Sequence, residues 1–243
     1  PLYSQHYDSG HFWMRALNQL GHFVTIWDYR VDKVLPPLTT KPDLTIVLKG
    51  ETTDPRELPR PAFNYWPDAL QRTPGIEKTL QYYEKVFTPV RPTPEWMTWL
   101  PTGWDPMIHG DLHLDRKGSM YVGTANSQYK IDMINQIHPD VVHGNGWNRM
   151  PAVYLHELVE SLNHAEVLVD VHNLPNVGLN RKFFEMISCG FTIVDKVPGV
   201  EEVLGQELAQ KVSFSSPHEA RELIRYYCER ATEREELWRL QRE

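Results

Sequence analysis

GLNRKFFEMISCGFTIVD, residues 178–195, decides how the chain folds. Phe183, Phe184, Met186 and Ile187 are apolar at helical spacing. Cys189-Gly190 stops the helix, and glycine there is available for a left-handed C-terminal cap. Phe191–Val194 is a β-branched and aromatic run that reads as a strand. The unit is helix, tight turn, buried strand. Asn180, Arg181 and Lys182 stand at the helix start, where free N–H groups and a partial positive charge favour an anion. The two cations make that site suited to a diphosphate, and Glu185, about a turn on, is placed to accept hydrogen bonds from sugar hydroxyls. The plainer alternative is a surface amphipathic helix whose charges meet only solvent.

The chain has 243 residues, 41% of them hydrophobic, which suffices for one large domain or two smaller ones. Its net charge of −7 argues against broad nucleic-acid binding, which a basic surface normally drives. Two cysteines, Cys189 and Cys228, make neither a disulfide framework nor a metal pattern. Cys189 reads as a small buried residue beside a turn. No apolar run reaches the roughly 18 residues of a membrane span and no signal peptide opens the sequence, so a reducing, cytoplasmic setting is expected.

Outward from the central unit, strands alternate with helices. Leu2–Gln5 and Phe23–Tyr29 read as strands flanking a helix near His11–Leu20, with a turn at Tyr7–Gly10. Only Gly10 lies in that turn, so the GxGxxG dinucleotide fingerprint is absent. Asp43–Lys49, Ala62–Trp66 and Lys85–Thr88 are further strands, with a helix near Ile76–Tyr83. Prolines from Pro89 to Pro106 mark an irregular segment. His109–Gly118 reads as a linker. Strands at Ser119–Val122, Val141–His143 and Val167–Val171 then alternate with helices at Ser127–Ile137 and Leu155–Asn163. Lys211–Ser213 is a weak strand, and Pro217–Arg230 and Glu233–Arg242 are amphipathic helices. The result is two β/α runs split near residue 112, each a parallel sheet covered on both faces. Ligands bind outside the carboxyl ends of such strands. The turns there include Tyr7–His11, Lys49-Gly50, Pro67-Asp68, Gly123–Asn126, Gly144–Trp147 and His172–Arg181.

The segment NRKFFEMISCGFTIVD resembles the donor-site signature of GT-B-type nucleotide-sugar glycosyltransferases, and most nearly the spore-protein CgeB-like branch. Leu44–Gly50, Tyr121–Thr124, His143–Trp147 and Val169–His172 resemble other pieces of that branch in order. The likeness covers nearly all of the C-terminal half and is thin over the first 110 residues. It implies an α/β fold of two Rossmann-like domains facing each other across a cleft. Residues 1–112 would be the acceptor side and 113–243 the nucleotide-sugar side, with the last helices packing back on the first domain. It further implies a nucleoside-diphosphate sugar as donor, UDP-linked, with a hexose transferred. Glu185 matches the second glutamate of the E-x7-E motif of the related retaining superfamily, which binds donor ribose hydroxyls. The first glutamate would fall at Val177 or Gly178, where no acid stands, leaving sugar contacts to Asn176, Asn180 and backbone groups. Arg181 matches the diphosphate-binding cation, with Lys182 assisting or facing solvent. Gly123 and Thr124 would let backbone N–H groups approach the diphosphate. Gly146 and Trp147 form a turn whose indole either stacks on the nucleobase or belongs to the core.

Transfer from such a donor releases a leaving group with growing negative charge, which Arg181 and the helix N-terminus would stabilise without a metal. There is no Asp-x-Asp pair to hold Mg²⁺ on a diphosphate. His109, Asp111, His113 and Asp115 alternate in a way that suggests ligands, yet are more ordinarily solvated. An inverting reaction needs a general base, for which Asp8, His11 and Asp68 are candidates, with His6 nearby; a retaining one does not. Asp8 is as readily a helix N-cap. Gly10 and Lys49 are assigned to the acceptor side. The acceptor is not legible. A modified DNA base is disfavoured by charge unless Arg56, Arg60 and Arg72 make a local basic face. Competing readings are a non-catalytic nucleotide or sugar-binding module and a phosphatase or epimerase built on the same two-domain plan.

Overall fold

The computed structural model describes residues 9–29, 40–173 and 178–243. The chain divides into two compact units, Pro1–Pro101 and Thr102–Glu243. In the first, α1 (Ser9–Gln19) ends where glycine predicts, with Gly21 at φ +89° and the His22 N–H donating to the Leu17 carbonyl. Gly10 therefore lies in a helical turn rather than in a preceding loop. The expected strand at Leu2–Gln5 lies outside the described residues. The strand expected at Phe23–Tyr29 does not form: Phe23 is 97% exposed, and this segment is irregular. An apolar run becomes a strand only where a neighbour bonds its amides. This one instead packs Trp27 against the unit's core, and the Tyr29 hydroxyl accepts from the Gly50 N–H at 3.3 Å.

The sheet of this unit comprises β1 (Thr45–Leu48), β2 (Ala62–Tyr65), β3 (Lys85–Thr88) and β4 (Thr98–Trp99), parallel and in that order. β4 lies inside the proline-rich stretch that reads as irregular. Ala62, Trp66, Leu80 and Val86 form its core, with α2 (Ile76–Leu80) shorter than its apolar run suggests.

The second unit carries β5 (Ser119–Val122), α3 (Gln128–Ile137), β6 (Val141–His143), α4 (Leu155–Asn163), β7 (Val167–Asp170), α5 (Arg181–Cys189) and β8 (Thr192–Asp195). α6 (Val200–Leu204), α7 (Gln206–Val212), β9 (Ser213–Phe214), α8 (Pro217–Cys228) and α9 (Ala231–Arg242) follow. The strands are parallel in the order β6-β5-β7-β8-β9. Period-two alternation divides the core between the faces. Tyr121, Val167, Val169 and Ile193 pack in one cluster with Ile134, Ile137 and Trp238; Met120, Val122 and Leu168 pack in another with Leu162 and Met186. The last helix is held to this same unit: Trp238 Nε1 donates to the Ile187 carbonyl at 2.7 Å, and the Gln241 amide bonds both N–H and carbonyl of Thr192.

The division falls after Pro101 rather than after Leu112, and His109–Gly118 is no free linker. The Asn163 side chain donates to the Gly110 carbonyl and accepts from the Leu112 N–H. Arg116 donates to Asp111, Ala165 and Cys189 and lies over the Trp238 ring. That clamp explains Gly190, which caps α5 with φ −171° and so is extended rather than left-handed. A Cβ there would meet Arg116 Nη1 at 2.8 Å and Leu168 Cδ1 at 3.0 Å; glycine is needed for room, not for rotation.

A tighter approach occurs after β5 and β6, where a Cβ on Gly144 would lie 2.0 Å from the Gly123 carbonyl oxygen at a φ of +137°. Gly144→Ala is expected to destabilise the protein by about 1–3 kcal/mol, the scale of overpacking and backbone strain. Urea unfolding measures this, and an unchanged midpoint would show the two turns to be separable.

Candidate functional site

From β5 the chain crosses to β6 on one side of the sheet, and then to β7 on the other. The strand order reverses there, so the carboxyl ends of β5 and β7 open a crevice at the switch point. Three segments rim it. The turns after β5 and β6 are bonded to each other: the Gly123 N–H donates to the His143 carbonyl at 3.0 Å, the Ala125 N–H to the Asn145 carbonyl at 2.9 Å, and Trp147 Nε1 to the Gly123 carbonyl at 2.6 Å. The Gly123 N–H is thus engaged in the turn, while the Thr124 N–H makes no bond among the described residues. Of the two readings of Trp147, the burial of the ring matches the core one. Trp147 is 9% exposed, with its ring edge-on to Tyr121 at 5.5 Å, so the indole braces the Gly123 turn and belongs to the core. Gly146, at φ +84°, keeps this turn against Ala125.

The third segment is the start of α5. Asn180 is its N-cap, the side-chain oxygen accepting from the Phe183 N–H at 3.4 Å. The next two residues diverge, as neighbours on a helix do. Arg181, 42% exposed, turns along the helix, and its Nε sits 2.7 Å from Glu185 Oε1. Lys182 turns inward, its Nζ 2.6 Å from Asp170 Oδ1 and 4.5 Å from the centre of the Tyr121 ring. Lys182 therefore neither faces solvent nor stands beside Arg181 as a second diphosphate cation. Glu185 is only 5% exposed and has a second neighbour, His109 Nε2, at 3.7 Å. Burial lowers the pKa of His109, outweighing the pull of Glu185.

Beneath the rim lies a buried charged quartet that the sequence reading passed over. Asp170 and Asp195 end β7 and β8. His172 donates its backbone N–H to both Asp195 oxygens, and its Nδ1 is 2.6 Å from Oδ1; its Nε2 lies 3.7 Å from Asp170 Oδ2. Burial opposes charge on His172, but Asp170 and Asp195 outweigh it, and its pKa is raised. Burial likewise opposes the Lys182 ammonium, yet Asp170 leaves its pKa raised, and despite burial Lys182 and His172 hold Asp170 below its usual value. Burial and Asp195 push the Tyr129 phenol up to about 12. The signal was present in the sequence as two apolar runs, VLVD and TIVD, each ending in an aspartate.

In the N-terminal unit the expected residues are tied up differently. Lys49, in a left-handed backbone conformation at φ +69°, pairs with Glu51 at 2.9 Å and Asp68 at 3.0 Å, and Asp68 also pairs with Arg72 at 3.6 Å. Asp68 is thus held between two cations. His11 lies on α1, while Asp8, His6 and Asn176 fall outside the described residues. Arg56 and Arg60 pair with Asp54 and Glu84, so these arginines and Arg72 make no unneutralised basic face. The alternating His109, Asp111, His113 and Asp115 do not share a face: His109 is buried against Glu185, while exposed His113 pairs with Asp111. Among the described residues no three His, Cys, Asp or Glu side chains group as ligands. No described helix is long and apolar enough to cross a membrane.

Residues 128–243 match the family model described as Glycosyl transferase-like. No curated protein matches the chain. Among solved structures it is similar to the DNA-modifying enzyme β-glucosyltransferase, also described as the T4 phage β-glucosyltransferase, at 11% identity. That alignment covers 82% of this chain and 75% of the other, with a TM-score of 0.57. It is also similar to a structure described as trehalose-6-phosphate from E. coli bound with UDP-2-fluoro glucose, at 9% identity, covering 84% and 69%, with a TM-score of 0.52. The chain accordingly has an α/β fold of two parallel sheets of the GT-B kind, and the family match lies within its C-terminal unit.

Because the folded protein favours the His172 imidazolium, this group's stabilisation is fully present below its unfolded pKa, near 6.5. It is lost as pH rises through the raised folded value. Urea unfolding followed from pH 6 upward should therefore show stability falling with pH. His172→Gln should flatten that fall; identical slopes in the two proteins would exclude a charged His172.

Proposed function

We propose that this chain is a glycosyltransferase that moves a hexose from a nucleoside-diphosphate sugar, UDP-glucose in the first instance, to an acceptor hydroxyl without a metal ion, and that it belongs with the CgeB-like branch. The observation that carries the reading is the family match over 128–243, a span that contains α5 and two of the three rim segments. Support for uridine and glucose comes from the similar structures, whose descriptions name uridine diphosphoglucose and a fluorinated UDP-glucose.

On this reading the diphosphate lies against the N-terminus of α5, near the Thr124 N–H. Arg181 exchanges its contact with Glu185 for the phosphate oxygens, which its fork matches bidentately. Preorganised positive charge at that point stabilises the departing diphosphate and lowers the barrier. Glu185, released from Arg181, accepts from donor hydroxyls. Net charge and the paired Arg56, Arg60 and Arg72 favour an acceptor other than nucleic acid.

A thermal-shift panel of nucleoside diphosphates and their sugars tests the class directly, since a ligand bound only to the folded state raises its stability. UDP and UDP-glucose are expected to raise the midpoint equally with and without EDTA; a shift that EDTA removes would refute metal independence. Arg181→Ala should weaken UDP binding by about 1.5–3 kcal/mol, the scale of a charge-assisted hydrogen bond. Glu185→Gln should cut turnover of UDP-glucose while the melting curve stays cooperative; undiminished turnover would remove Glu185 from the donor site.

A further inference from the structure

His109 is the one histidine of the Thr102–Gly118 segment that is buried. The turn that carries it is closed by its own N–H, which donates to the Asp105 carbonyl at 2.8 Å. Within that turn the Asp105 N–H donates to His109 Nδ1 at 3.3 Å, while Asp105 Oδ1 accepts from the Met107 N–H at 2.9 Å. A nitrogen that accepts a hydrogen bond carries no proton, so the neutral ring keeps its proton on Nε2. Nε2 is the atom that faces Glu185 Oε1, 3.7 Å away. That separation is electrostatic contact rather than a hydrogen bond, in a structure where Arg181 Nε holds the same oxygen at 2.7 Å. Hydrogen bonds of this kind are commonly long in an empty site and tighten when ligand arrives.

A conflict follows from these positions. If Arg181 leaves for a phosphate group, Glu185 is left as an almost fully buried carboxylate. An unpaired buried polar group is costly, so the carboxylate needs another donor. We propose that His109 is a positioning residue that supplies Glu185 with a fixed, neutral N–H donor when Arg181 moves to the diphosphate, keeping the carboxylate in place and aimed at the ribose hydroxyls of the donor. This rests on the donor site proposed above. The turn of 105–109 serves as the mould for one tautomer, and Glu185 receives a partner that brings no competing charge. The groups facing this pair are Arg181 on α5 and Asp105 on the turn.

The test is hydroxyl discrimination. Affinities for UDP and 2′,3′-dideoxy-UDP are measured by titration calorimetry, and their ratio is taken within each protein, so that a smaller folded fraction does not alter it. The wild type should prefer UDP by about tenfold or more, the worth of a hydrogen bond to a charged group. Glu185→Gln should bring the ratio toward one. His109→Phe, a ring of similar volume without a donor, should do the same, while His109→Gln, whose amide N–H replaces Nε2–H, should restore most of the preference. Should His109→Phe not fold, His109→Leu carries the same expectation. If Glu185→Gln leaves the ratio unchanged, the donor-site reading fails. If Glu185→Gln abolishes the preference and His109→Phe retains it, that reading stands and the role given to His109 is wrong.

Discussion

Two carboxylates that cannot stay charged alone stand at the ends of adjacent parallel strands. Asp170 and Asp195 are almost fully buried, and the chain above them is arranged around their neutralisation. His172 answers Asp195 immediately after β7, and Lys182 answers Asp170 from the first turn of α5. His172 and the first turn of α5 are thereby each tied to a strand end. A buried ion pair is poor evidence of net stability, because desolvation offsets most of the attraction, but removing one partner costs several kcal/mol. Its effect here is to fix where α5 begins and which way its first turn faces.

That division of labour runs through the rim. Arg181 and Lys182 look alike in sequence, yet one reaches outward to Glu185 while the other is consumed by the sheet. The turns after β5 and β6 show the same pattern: the most conspicuous groups, the Gly123 N–H and the Trp147 indole, are bonded within the protein and shape the turn. On this account the ligand meets what remains exposed, Arg181 and backbone N–H groups held in place by the buried set. A site built so is preorganised, and preorganised charge is what lowers a barrier that depends on a departing anion.

Much of the C-terminal fold was legible. SMYV, VVH and VLVD sit within apolar strand runs bounded by turn residues, and the helix 181–189 follows from its apolar spacing. The segment 23–29 misled because apolar alternation does not reveal whether a partner strand exists, and the two-residue strand Thr98–Trp99 is too short to carry a pattern. Gly190 was misread and Trp147 left open for a common reason: what a glycine or an indole is for depends on what approaches it in space. Arg116 comes to the back of Gly190, and Tyr121 to the ring of Trp147, from distant points of the chain. The pairing of His109 with Glu185 is equally non-local, since 76 residues separate them (185 minus 109). Local patterns give elements; they do not give partners.

The central claim is that Arg181 lets go of Glu185 to hold a diphosphate at the start of α5. A crystal structure with UDP-glucose tests it most directly. The account predicts the two phosphates within hydrogen-bond reach of the Arg181 guanidinium and the Thr124 N–H, with Lys182 still on Asp170. A nucleotide bound elsewhere, with Arg181 Nε still on Glu185, would contradict it.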